Sequence, residues 1–171
     1  MRIVKNRTRL TEQAGVGLLE ILVAVLVISV GLLSFLAMQM LSLEADRSAY
    51  LRTQALLIGV DASERVRANP QGFESGAYGS AETEEGSECY SAGACTGAEL
   101  AQAEVAELRE RVRQQLPRGE LHVCLDSTPN DGTPTATACD GSGRALAVKV
   151  WWDEDQDGTA ETLVAIGVTP R

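Results

Sequence analysis

Gly15-Val16-Gly17-Leu18-Leu19-Glu20 opens an apolar run that continues through Met38. Within residues 16–38 the polar side chains are Glu20, Ser29 and Ser34. As a helix this run reaches roughly 35 Å, enough for a hydrocarbon core of about 30 Å. Apolar residues occupy every face, so the pattern is that of a spanning helix and not of an amphipathic surface helix. A carboxylate within such a segment costs roughly 2.5–3.5 kcal/mol at the membrane centre, and residues of this kind are retained for function. Ahead of the run, Arg2, Lys5, Arg7 and Arg9 stand against one acid, Glu12. By the positive-inside bias this leader stays cytoplasmic and residue 45 onward lies outside.

A cleaved secretory signal has an apolar region of about 7–15 residues followed by a small-residue cleavage site. Here the apolar part is longer, and Leu36-Ala37-Met38-Gln39-Met40 offers no A-x-A exit. A plain membrane anchor fits the length but gives Glu20 no purpose.

The basic leader, its terminal Gly15, the acid at Glu20 and the length of the apolar tract together resemble the type IV prepilin class. The resemblance implies cleavage between Gly15 and Val16 by a prepilin peptidase, with the apolar segment retained. It implies N-methylation of the new terminus at Val16, where that class usually has Phe. Glu20 becomes the fifth mature residue. A carboxylate in an apolar helix face needs a positive partner once it leaves the membrane for a fibre. The resemblance supplies one, the amino group of Val16 in a neighbouring subunit, which would fix axial register. Three segments follow: a cleaved leader 1–15, a transmembrane and fibre-core helix half 16–43, and a periplasmic globular domain 44–171.

Beyond Glu44 the helical period persists. Leu51, Ala55, Ile58, Ala62 and Val66 recur at steps of four and three, predicting one apolar stripe. Asn69-Pro70 predicts the stop, so residues 16–68 read as one helix. Residues 69–95, rich in Gly, Ser and Glu, read as a long surface connection. Thr96-Gly97-Ala98-Glu99 matches a capping box, and Ala101, Val105, Leu108, Val112 and Leu116 form a second stripe ending at Pro117. Alternation predicts strands at 121–125, 144–152 and 162–168, the last two joined as a hairpin through Asp153–Glu161. The expected fold is α+β, type IV pilin-like: a long N-terminal helix packed on a small antiparallel sheet.

Scattered segments extend the resemblance to the minor pilins of the type IV pilus modification protein PilV family. They are Asp61-Ala62-Ser63-Glu64-Arg65-Val66-Arg67-Ala68-Asn69-Pro70, Cys95-Thr96, Cys124-Leu125-Asp126-Ser127 and Val148-Lys149-Val150-Trp151-Trp152-Asp153. This implies a subunit inserted into the pilus, within a tip or initiation complex that promotes assembly and thereby adhesion or twitching motility. Its implied partners are the peptidase, other minor and major pilins, a tip adhesin and the inner membrane. A minor pseudopilin of a type II secretion system shares the whole N-terminal logic, and a plain membrane-anchored binding domain is the alternative from another class.

The chain has 15 basic and 24 acidic residues, net −9. Without the leader's four bases and one acid, 11 basic and 23 acidic residues remain, net −12. Such a surface argues against nucleic acid, whose phosphates select basic patches. Cys89, Cys95, Cys124 and Cys139 all follow the apolar tract, an even count that suits disulfides in an exported domain. Three connectivities are open; sequential pairing is expected because each loop closes locally. One histidine, His122, and no Ser/His/Asp set or phosphate loop leave no catalytic constellation and no expected cofactor. His122 reads as an ordinary strand residue.

Asp153-Glu154-Asp155-Gln156-Asp157-Gly158 mimics the start of an EF-hand calcium loop. The twelfth position, where such loops carry Glu, is Val164, and strands replace the flanking helices. An acidic, solvated hairpin turn without metal is therefore the expectation here. Trp151 projects opposite Trp152 on its strand and is expected either to cover an edge of the long helix or to anchor a neighbouring subunit.

Overall fold

The computed structural model describes residues 16–79, 89 and 95–169. Two compact units divide the chain, residues 1–46 and 47–171. Helix α1 runs over Val16–Ala68, as the unbroken period predicts.

The second unit is built on the stripe of α1. Leu51, Ala55, Ile58, Ala62 and Val66 are all buried, in one core with Ala101, Val105, Leu108, Val112 and Leu116. The latter group comes from α3, Gly97–Gln115. Its start is the expected capping box: Thr96 Oγ1 accepts from Glu99 N at 3.3 Å, and Thr96 N donates to Glu99 Oε2 at 2.8 Å. Strands β1 (Glu120–Leu125), β2 (Leu146–Trp152) and β3 (Thr162–Val168) form an antiparallel sheet in the order β1-β2-β3. Leu121, Val123, Leu146, Val148, Val150, Trp152 and Val168 share the core with the helical stripes. This is the α+β architecture anticipated above, a long apolar helix with a small three-stranded sheet.

Two expectations need correction. The stretch after Asn69 is not wholly a surface connection. Pro70–Glu74 form a short helix α2, because Pro70 stops α1 yet suits a first turn. Asn69 Oδ1 accepts from Gly72 N at 3.0 Å, while its Nδ2 donates to Gly97 O at 2.7 Å, tying α2 to the start of α3. Ala77 and Tyr78 then enter the core. The remainder of that connection, apart from residues 89 and 95, lies outside the described residues.

Trp151 is the second. It is fully buried within the chain. Its Nε1 donates to Gly132 O at 3.4 Å, and the His122 ring meets it edge-on at 5.7 Å. The turn-rich segment after β1 lies over this second face of β2, so all seven residues of β2 are buried. Lys149, on the same face, donates to Asp131 O and Thr137 O of that segment.

Candidate functional site

The first unit holds the apolar part of α1. Every described side chain from residue 17 to residue 47 is exposed, including Leu18, Leu22, Leu26, Leu33, Phe35 and Leu36. The two hydroxyls in this stretch satisfy themselves: Ser29 Oγ donates to Val25 O at 2.6 Å and Ser34 Oγ to Val30 O at 3.0 Å. That back-bonding removes the polar groups which lipid would penalise. Among the described residues, α1 is a helix long and apolar enough to cross a membrane. Glu20 lies in its second turn, exposed. Val16 opens α1, whereas Gly15 and the leader lie outside the described residues.

The four cysteines form two disulfides, Cys89–Cys95 and Cys124–Cys139. The second closes the segment that covers β2. Inside that closed segment lies an arrangement that sequence reading missed. Lys149 Nζ sits 2.5 Å from Asp126 Oδ2, with both side chains fully buried, and 3.0 Å from Asp131 Oδ1. Thr137 O accepts from it at 2.7 Å. A lysine alternating with apolar residues on a strand reads as solvent-facing, and nothing local in the sequence marks the distant acids as its partners.

A second polar cluster ties α1 to α3. Arg65 meets Asp61 at 3.2 Å and Glu107 at 2.8 Å, and Arg111 meets the same two acids at 2.6 Å each. Beside it, Tyr78 donates to Glu104 Oε2 at 2.5 Å and to Arg65 O at 3.2 Å. Burial and the adjacent Glu104 carboxylate hold the Tyr78 phenol well above its ordinary range. These groups join α1 to α3. His122 lies on β1 with its pKa lowered, chiefly by burial and then by Arg109, against the opposing pull of Glu120.

The loop between β2 and β3 brings Asp153, Asp155 and Asp157 together, one oxygen of each within 4.8 Å of the others. Asp153 is buried, at 3 % exposure, whereas the other two are exposed. This differs from a wholly solvated turn. Asp153 directly follows Trp152, which pairs with Thr162 at the end of the hairpin. Asp153 N then donates to Pro117 O at 2.9 Å.

Residues 37–106 match the model of the Tt1218-like family, described as type IV pilin Tt1218. The matched stretch starts within the apolar part of α1, crosses its buried stripe and ends in α3. It supports the type IV pilin class, and the long apolar helix with its three-stranded antiparallel sheet is consistent with the type IV pilin fold. No curated protein and no solved structure matches the chain.

Proposed function

We propose that the chain is a minor type IV pilin, cut after Gly15, N-methylated at Val16 and held in the inner membrane with its outer domain in the periplasm. From there it enters the pilus, in a tip or initiation complex that promotes assembly, and so serves adhesion or twitching motility. The observation that carries the reading is the contrast along α1. One helix leaves its apolar side chains uncovered from residue 18 to residue 43, then buries a stripe from Leu51 to Val66. Lipid and the helices of other subunits account for that uncovered surface.

Glu20 follows from the same contrast. In a bundle of apolar helices, a carboxylate finds its stabilisation in a fixed positive group, and the terminal amine of a neighbouring subunit supplies one. The finer assignment to minor pilins rests on the segments at 61–70, 124–127 and 148–153 quoted above. The reading is structural and non-catalytic: helix packing through 16–43, register through Glu20 and lateral contacts through the outer domain.

Shearing surface fibres from cells that make an epitope-tagged chain tests this reading. The tagged chain is expected in the fibre fraction in small amount, and its deletion is expected to reduce piliation. Intact piliation with failed protein secretion would instead indicate a pseudopilin.

A further inference from the structure

The Asp153–Glu161 turn carries aspartates at the alternate positions 153, 155 and 157. An oxygen from each of Asp153, Asp155 and Asp157 lies within 4.8 Å of the others. Two oxygens bound to one calcium ion at 2.3–2.6 Å stand at most about 5 Å apart, so this spacing suits a shared ion without rearrangement. Gln156 (φ 62°) and Gly158 (φ 101°) take left-handed backbone conformations that fold the loop back on itself, the task given to the glycine of a calcium loop.

The buried member of the set distinguishes this loop from an ordinary acidic turn. Asp153 Oδ2 accepts from Gly158 N at 3.0 Å, but Asp153 Oδ1 is buried and has no hydrogen-bond partner. Buried carboxylate oxygens are ordinarily satisfied by a donor or a cation. The cation nearest to hand is Arg118, whose Nε stands 3.8 Å from Oδ2 and whose side chain is two-thirds exposed. It does not reach Oδ1 with a hydrogen bond.

We propose that Asp153, Asp155 and Asp157 form a calcium site in the β2–β3 turn. The donor set is all hard oxygen, which selects calcium or magnesium over softer metals. Val164, at the position of the bidentate Glu, is buried in β3 opposite Val150 and is not a ligand. Three carboxylates completed by water and main-chain oxygen suit calcium's larger, more adaptable shell better than the strict octahedron of magnesium. Lacking the bidentate acid, the site belongs to the weak extracellular range, with Kd about 0.1–1 mM. Glu154, between two of the ligands, accepts from Thr162 Oγ1 at 3.0 Å and from Ser48 Oγ on α1. An ion in the turn would therefore stiffen the point at which the hairpin meets α1. The site stands on its own geometry and does not depend on the pilin reading.

The test is calorimetric titration of calcium chloride into the full chain in detergent after chelator treatment, followed by thermal melts with and without the ion. One saturable site per chain is expected, with a higher Tm when calcium is present. Asp155→Asn with Asp157→Asn, both exposed positions, should abolish binding while leaving the calcium-free Tm near that of the parent. Glu74→Gln, an exposed acid elsewhere, should leave binding intact. No saturable heat up to about 10 mM calcium, well above the weak range, would overturn the proposal. So would equal binding by the double variant, or equal affinity for magnesium.

Discussion

Lys149 Nζ lies 2.5 Å from Asp126 Oδ2, and neither side chain reaches solvent. The ammonium also binds Asp131 Oδ1, Asp131 O and Thr137 O, at 3.0, 3.0 and 2.7 Å. One residue of the central strand thus gathers both ends of the segment that Cys124–Cys139 closes. A buried ion pair adds little by itself, but removing one partner strands the other charge in a low-dielectric site. Lys149→Met is expected to lower the Tm of the outer domain substantially and to expose Trp151. Lys149→Met with Asp126→Leu should recover part of that loss, because the carboxylate that remains, Asp131, is half exposed and solvated rather than buried. Thermal melts with tryptophan emission check both; a silent single variant would contradict the role given to Lys149.

Tyr78 holds Glu104 and the end of α1 through one hydroxyl. Tyr78→Phe keeps the ring in the core and removes only that donor, leaving a nearly buried carboxylate short of a partner. A loss of about 1–3 kcal/mol is expected. Denaturant unfolding of the parent and variant measures it directly.

The two disulfides should differ in weight. Cys124 and Cys139 are 15 residues apart and Cys89 and Cys95 are 6 apart. On the chain-entropy model the longer loop is worth about 3 kcal/mol and the shorter about 2. Replacing the pair at 124 and 139 by Ser should also loosen the cover over Trp151, which the pair at 89 and 95 does not touch. Comparing tryptophan quenching in the two double variants separates these effects.

Acidification is expected to destabilise the outer domain. Burial depresses the His122 pKa, so the unfolded chain binds its proton more readily and stability falls as pH drops below about 6.5. Asp140 is held well below the usual carboxylate range, first by the Ser127 hydroxyl and then by Ser142. Asp126 is lowered chiefly by its hydrogen bond from Lys149. Their stabilisation is complete above about pH 4 and is lost below it. Burial works against the charge on Lys149, yet Asp126 and Asp131 keep its pKa raised. Its contribution is present at neutral pH and fades only above about 10.4. Tm measured from pH 8 downward should therefore decline in two steps. His122→Gln should remove the upper step; a Tm that rises on acidification would contradict the assignment.

Much of the architecture was legible because its signals are local or periodic. The stripe from Leu51 to Val66 needed only the helical repeat, and Thr96 with Glu99 announced the start of α3. Alternation in Leu121, Val123 and Leu125 marked β1. What escaped depends on contacts between distant residues. Leu146–Trp152 is apolar on both faces apart from Lys149, and a single strand does not reveal what covers its second face. The cover comes from Gly132, Thr137 and the acids at 126 and 131, in a stretch whose composition says only turn. Tyr78 entered the core from a region that reads as linker, because α2 redirects the chain after Pro70. Asp153 reads as the first residue of a solvated turn, yet it is buried and its amide donates to Pro117 O, a residue distant in sequence.

The most direct test of the pilin account is the N-terminus of the protein isolated from the membranes and fibres of cells that produce it, read by sequencing and by mass. The account predicts a chain beginning at Val16 and carrying one N-methyl group. A chain that still begins at Met1 would contradict it.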